Sequence, residues 1–147
     1  QRLSVIDQDI DRPWGGFFVI DGEDFQRFTK LYFNGINVNS PKLSQKFSSK
    51  ILIIKPNKRL SWSYHNRRSE IWKIAHGKVK VITSHDNIER KKVFLKKNDV
   101  INISIGERHR IVGTNTYAIV AEIWIHTFND NLSDEYDIVR VKDDFGR

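Results

Sequence analysis

The stretch SWSYHNRRSEIWKIAHG, residues 61–77, decides how the chain is read. Short β-rich pieces flank NRRS and imply two strands with a turn between them. His65 ends the first strand, Glu70 opens the second and Gly77 closes it. Two antiparallel strands can bring an imidazole and a carboxylate to one face, as two ligands for zinc, iron, manganese or nickel. Glu70 precedes the apolar pair Ile71 and Trp72, and a carboxylate in apolar surroundings needs a cation or hydrogen bonds. His109 follows the turn Gly106-Glu107-Arg108 and offers a third ligand if its strand lines the same interior.

Outward from this stretch, short apolar runs recur between turn signals. FFVI (17–20) lies between Gly15-Gly16 and Asp21-Gly22, and ILII (51–54) is cut off by KPNK. Val79 and Val81 alternate with lysines. After Asn98-Asp99, Ile101, Ile103 and Ile105 alternate with Asn102 and Ser104, and residues 117–125 form a long β-rich run. This is an all-β pattern, a sandwich or a barrel. Residues 1–147 read as a single domain, with 1–11 as an N-terminal arm and 130–147 as a tail packed on the barrel. A short helical turn is expected at 132–138, capped by Ser133 and anchored by Tyr136 and Ile138.

The chain has 147 residues and no cysteine, which excludes disulfides and thiolate ligands and favours a reducing, cytoplasmic setting. No apolar run approaches the ~20 residues of a membrane span and no leader is visible, so no membrane is expected. The formal charge is +7. Lys91, Lys92, Lys96 and Lys97 sit on one hairpin, and the tail is acidic. No basic stripe interleaved with aromatics emerges, so nucleic acid is not the expected partner.

Residues 61–77 resemble the first cupin motif, G-x5-H-x-H-x4-E-x6-G, at His65, Glu70 and Gly77. The stretch from Asn98-Asp99 through Ser104, Gly106 and His109 resembles the second, with Gly113 at its final Asn position. Four segments are similar to the cupin domain of type II mannose-6-phosphate isomerases: RPWGGFFVID (12–21), LSWSYHNRRSEIW (60–72), GERHRI (106–111) and DEYDIVRVKDDFGR (134–147). The resemblance implies a small cupin barrel, a double-stranded β-helix of jelly-roll form. It also implies a homodimer and a sugar phosphate exchanged between aldose and ketose. A divalent metal, zinc foremost, would be held by His65, Glu70 and His109. Two positions depart from the family pattern. Ser63 replaces its ligand glutamine and would bind an ion weakly, through water or not at all, and Ile71 replaces a histidine among the family's basic substrate-binding residues.

Arg68 matches the family's site arginine, and a guanidinium suits a phosphate. With Arg110 and Lys55 it forms the expected phosphate anchor. Glu122, in an apolar strand, either faces solvent or serves as the general base. Trp62 and Trp72 read as core and Trp14 as packing at the rim. His76, His85 and His126 lack ligand spacing. Arg140 and Arg147 read as ion pairs that pin the C-terminus. Two further readings stay open. One is a non-catalytic carbohydrate-binding cupin without a metal. The other is an iron oxygenase, because His65, Glu70 and His109 also compose a two-His-one-carboxylate set.

Overall fold

The computed structural model describes residues 2–38 and 46–147. Its strands are β1 (Val5–Arg12), β2 (Gly15–Ile20), β3 (Phe47–Ile54), β4 (Trp62–Tyr64), β5 (Arg68–His76), β6 (Lys78–Ser84), β7 (Lys91–Lys96), β8 (Val100–Ile103), β9 (Arg108–Gly113), β10 (Ala118–His126) and β11 (Val139–Lys142). They form two antiparallel sheets, ordered β1-β2-β3-β10-β5-β8 and β11-β4-β9-β6-β7. A helix, α1 (Phe25–Tyr32), follows a single 3₁₀ turn at Gly22–Asp24.

The interior between the sheets is filled by Trp14, Phe17, Leu52, Trp72, Val81 and Ile111, among others. A second cluster packs Ile20, Phe28, Phe33, Ile71, Ala121 and Ile123 on the other face of the first sheet. That sheet is therefore covered on both sides, with the helical segment outside. This explains why ILII and the 117–125 run lack a clean alternation: both faces of these strands need apolar residues. In β3, Leu52 and Ile54 belong to the interior, whereas Ile51 packs against the second cluster. Helix α1 contributes Phe25, Phe28 and Tyr32, spaced three and four residues apart, to the same outer layer.

The turns carry their expected chemistry. Gly77 has φ +75, and a Cβ there would lie 2.5 Å from the Tyr117 carbonyl oxygen. Asn98 has φ 77, a conformation that asparagine tolerates better than most residues. Its amide donates to the Ile74 carbonyl at 2.8 Å.

Several expectations change. The N-terminal stretch expected as an arm forms β1, an edge strand paired with β2. The strand after Asn98-Asp99 stops at Ile103, and Ile105 is exposed. Residues 132–138 hold a turn rather than a helical turn. Asp134 Oδ1 accepts the amides of both Tyr136 and Asp137, at 2.9 and 3.1 Å. This side-chain bonding competes with helical backbone pairing. Tyr136 anchors nothing, being 91% exposed. Finally, the strand that leads into His65 and the strand that bears Glu70 are not partners: β4 lies in the second sheet and β5 in the first. The residues meet across the interior, not along one hairpin.

Candidate metal centre and its cavity

His65 lies just after β4, Glu70 on β5 and His109 on β9, and all three are buried. Each offers one ligand atom, and these atoms lie within 4.8 Å of one another. His65 Nε2 is 3.3 Å from Glu70 Oε1, and His109 Nε2 is 4.0 Å from Glu70 Oε2. Each imidazole uses its other nitrogen on a backbone carbonyl. His65 Nδ1–H donates to Asp137 O at 2.6 Å and His109 Nδ1–H to Glu107 O at 2.9 Å. That arrangement fixes the tautomer and leaves both Nε2 lone pairs facing the carboxylate, the usual way a protein orients imidazole ligands.

Protonation agrees with the geometry. Burial pushes His65 down to about 3, because the charged form would be stripped of water. Burial alone would raise Glu70. Arg68, with lesser help from His65 and His109, outweighs it and holds the carboxyl at about 2. A neutral imidazole and an ionised carboxylate are the forms that bind a divalent cation. The donor set, two nitrogens and one carboxylate oxygen, fits zinc or a similar ion.

Arg68 is part of this cluster. Its Nε donates to Glu70 Oε1 at 2.7 Å, and one terminal nitrogen donates to His65 Nε2 at 3.1 Å. The other donates to Ser133 Oγ at 2.8 Å and to Asp134 O at 3.1 Å. The guanidinium also lies 3.6 Å from the ring centroid of Trp124. Trp72 Nε1–H completes Glu70, donating to Oε2 at 2.8 Å.

These groups line a cavity of about 120 Å³ between the sheets. Ser63 lines it too, paired in register with His109 on one side and Arg140 on the other. Glu122 faces inward, so of its two expected placements the interior one holds. Burial, reinforced by the charge of Glu70 and opposed by Lys50, raises its carboxyl to about 7. Directly across from it on β3 stands Lys50. Burial lowers Lys50 to about 8 against the pull of Glu122. The Lys50 ammonium contacts the Glu135 carboxylate and lies over the rings of Trp124 and Phe17.

Two expected phosphate anchors fall elsewhere. His109 and Ile111 line the cavity, so Arg110 between them on β9 faces away. Its Nε donates to Leu60 O at 3.0 Å, and a terminal nitrogen donates to Glu89 Oε1 at 2.9 Å. Lys55 lies in the turn beyond β3 and does not line the cavity. Ile71 packs in the outer cluster, back to back with Glu70, so position 71 is not a cavity position in this protein. The cavity instead holds Lys50, Arg12, Arg140 and Arg147. Sequence reasoning left Lys50 and Arg12 without a role. The one available signal for Lys50 was a lysine directly before the apolar run ILII on the same strand.

Comparison with known proteins bears on the fold and the family. The xanthan biosynthesis protein XanB of Xanthomonas campestris pv. campestris (strain B100) is 28% identical over 138 residues, covering 94% of this chain and 23% of XanB. The alginate biosynthesis protein AlgA of Pseudomonas aeruginosa is 27% identical over 139 residues, covering 95% and 23%. The chain thus spans about a quarter of the length of these curated relatives. Among solved structures, the capsular polysaccharide assembling protein CapF of Staphylococcus aureus superposes with a TM-score of 0.63 at 17% identity, covering 97% of this chain and 33% of CapF. That likeness shows the cupin barrel and nothing finer. The mannose-6-phosphate isomerase C-terminal family matches residues 22–143, a span that contains all three candidate ligands, and the chain belongs to that family.

Proposed function

We propose that this cupin domain isomerises a phosphorylated sugar between its aldose and ketose forms, with mannose 6-phosphate as the first substrate to test. The carrying observation is that one cavity unites the His65, Glu70 and His109 cluster, the inward Glu122 and five cationic side chains. A divalent cation, zinc by its donor set, would be held by His65, Glu70 and His109. When bound it would polarise the sugar oxygen next to the carbon losing its proton.

The protein's own residues account for the rest. The carbonyls behind His65 and His109 fix the tautomers that turn both Nε2 lone pairs toward Glu70. Glu122, at about 7, can both take and return a proton near neutral pH, which suits a shuttle between adjacent carbons. Trp124 Nε1–H donates to Glu122 and orients it. Trp14, Phe17 and Leu52 form apolar wall that limits water around the reacting carbons.

One observation favours a second reading, the carbohydrate-binding cupin without turnover. The Arg68 guanidinium already bonds His65 Nε2 and Glu70 Oε1, two atoms that a cation would use. The readings separate in one experiment. The purified domain is loaded with zinc, and conversion of mannose 6-phosphate to fructose 6-phosphate is followed. Turnover that is lost on chelation and in His109→Ala supports the isomerase. Binding of mannose 6-phosphate without turnover in the zinc-loaded domain supports the binding module.

A further inference from the structure

One end of the barrel carries Lys55, Lys58, Lys78, Lys96 and Lys97, and none of them lines the cavity or the groove of Asp7–Arg12 beside it. Lys55 and Lys58 follow β3, Lys78 follows the Gly77 turn, and Lys96 and Lys97 end β7. The turn between β9 and β10 ties these segments into one surface. Asn57 N–H donates to Thr114 O at 2.8 Å and Gly113 N–H to Lys58 O at 2.7 Å. Thr114 Oγ1–H donates to Lys78 O at 3.1 Å, and Lys78 pairs directly with Lys96 in register.

We infer that this end of the barrel is a docking face for an anionic lipid surface. The inference is independent of the isomerase reading and uses none of the cavity residues.

Uncompensated charge is the first argument. Along 55–58, 77–78, 96–99 and 113–117 the one acid is Asp99, and its Oδ2 accepts the Lys96 amide at 2.9 Å. The β1–β2 turn borders this end, with Lys55 N–H donating to Trp14 O at 2.9 Å, and adds Asp11 and Arg12, whose charges cancel. Among the described residues the only lysine in an ion pair is Lys50, in the interior. Lys78 and Lys96 stand opposite each other with like charges, an arrangement that destabilises a strand pair. An anionic partner relieves that repulsion.

Shape and side-chain type name the partner. A linear polyanion is held in a groove that tracks its backbone. Here the lysines project together from turns, which suits a plane. Lysine carries a compact charge on a flexible stem, so it meets a diffuse negative surface better than it grips one phosphate. Two exposed aromatic side chains border the charges. Phe94 shares the outward face of β7 with Lys96 and lies opposite Lys80, and Tyr117 adjoins Gly77. Aromatic rings beside lysines are favourable at the headgroup level of a bilayer. Among the described residues no helix is long and apolar enough to cross a membrane. Peripheral docking needs only this face. Glu70 and His76 lie about 20 Å apart along β5, so docking leaves the candidate metal centre clear of the lipid.

The test is co-sedimentation of the protein with vesicles of phosphatidylcholine alone and of phosphatidylcholine with phosphatidylglycerol in a two-to-one mixture. The protein should bind the mixed vesicles, ignore the neutral ones and dissociate as salt screens the charges. Lys78→Gln with Lys96→Gln should weaken binding about 25-fold, at about fivefold for each lysine near an anionic surface. Removing a like-charge pair should leave the fold intact. Lys55→Gln with Lys97→Gln probes the same face from other turns and should give a similar loss. Lys91→Gln with Lys92→Gln removes the same charge from the opposite end of β7 and should cost far less. Equal loss in that control pair overturns the docking face, because net charge alone would then explain the binding. No binding to the mixed vesicles, or equal binding to neutral ones, also overturns it. A single-stranded oligothymidylate that binds more tightly than the mixed vesicles, and loses affinity in Lys78→Gln with Lys96→Gln, overturns the lipid and assigns the face to nucleic acid.

Discussion

His65 Nδ1–H donates to the backbone carbonyl of Asp137 at 2.6 Å, and Asp137 also holds the turn that carries His65. Its carboxylate oxygens accept the amides of Asn66 and Arg67 at 2.9 and 3.0 Å. The Ser133 hydroxyl donates to the same carboxylate at 2.6 Å. A residue 72 positions later in the chain thus sets the direction of the candidate ligand. Asp137→Ala keeps the carbonyl but releases the turn. It should lower zinc affinity by about 10- to 100-fold, the usual cost of losing an outer partner of a ligand. Competition with a zinc chelator measures this, and an affinity equal to wild type would show that His65 needs no such support.

Arg68→Ala should be costly for stability rather than for phosphate recognition. Arg68 and Glu70 are both buried, and removing one member of such a pair leaves a charge without compensation. The expected destabilisation is about 3–5 kcal/mol. Zinc should restore more stability to this variant than it adds to wild type, because the guanidinium no longer competes for His65 Nε2 and Glu70 Oε1. Denaturant melts with and without zinc provide the comparison. Equal zinc effects on the two proteins would count against shared occupancy.

Ser63→Gln should tighten zinc. The serine is buried on the cavity wall, beside His109 in register, but its hydroxyl is short. The longer amide oxygen supplies a further ligand. Calorimetry should record a larger affinity, and no change would place Ser63 outside reach of the ion.

Glu122 and Lys50 should leave opposite marks on the pH dependence of stability. Glu122 is raised from 4.5 to about 7, so between those values the native protein keeps a proton that the unfolded chain releases. Its contribution to stability falls as pH rises through that window. Lys50 is lowered from 10.5 to about 8, so there the unfolded chain binds the extra proton and stability rises with pH. His65 acts with the opposite sign to Glu122 between about 3 and 6.5, so the difference between wild type and Glu122→Gln isolates the carboxyl. That difference should grow from pH 4.5 to 7 in urea titrations. Parallel curves would show that Glu122 is not protonated there.

Much of this was legible in the sequence because its signals were local. The turn at Gly77 and the break at Asn98-Asp99 follow from residue type and short spacing, whereas the candidate trio His65, Glu70 and His109 was brought together by the resemblance to the two cupin motifs. What escaped depended on long-range register. Nothing near Arg140 announces that it stands beside Ser63, since β11 and β4 are joined only in the folded sheet. Arg110 and His109 are adjacent in sequence yet serve different surroundings, and strand parity could be assigned only once the interior was known. Helix α1 is a single short element whose Phe25, Phe28 and Tyr32 cover a sheet face that the sequence did not reveal as buried. The turn at 132–138 failed as a helix because Asp134 captured two amides, a choice that a capping serine nearby does not forecast.

The first sheet presents its two faces to different tasks. Along β5 and β10, Glu70, Trp72, Glu122 and Trp124 face the cavity, while Ile71, Ala121 and Ile123 face the outer layer. Adjacent codons therefore fall under separate selection. A library that varies only the cavity-facing positions can explore substrate range against a constant outer layer. One that varies only the intervening positions can raise thermal tolerance and leave turnover alone. Ile71 packs in that outer layer, so an exchange for another apolar residue there leaves the cavity chemistry one position away in place.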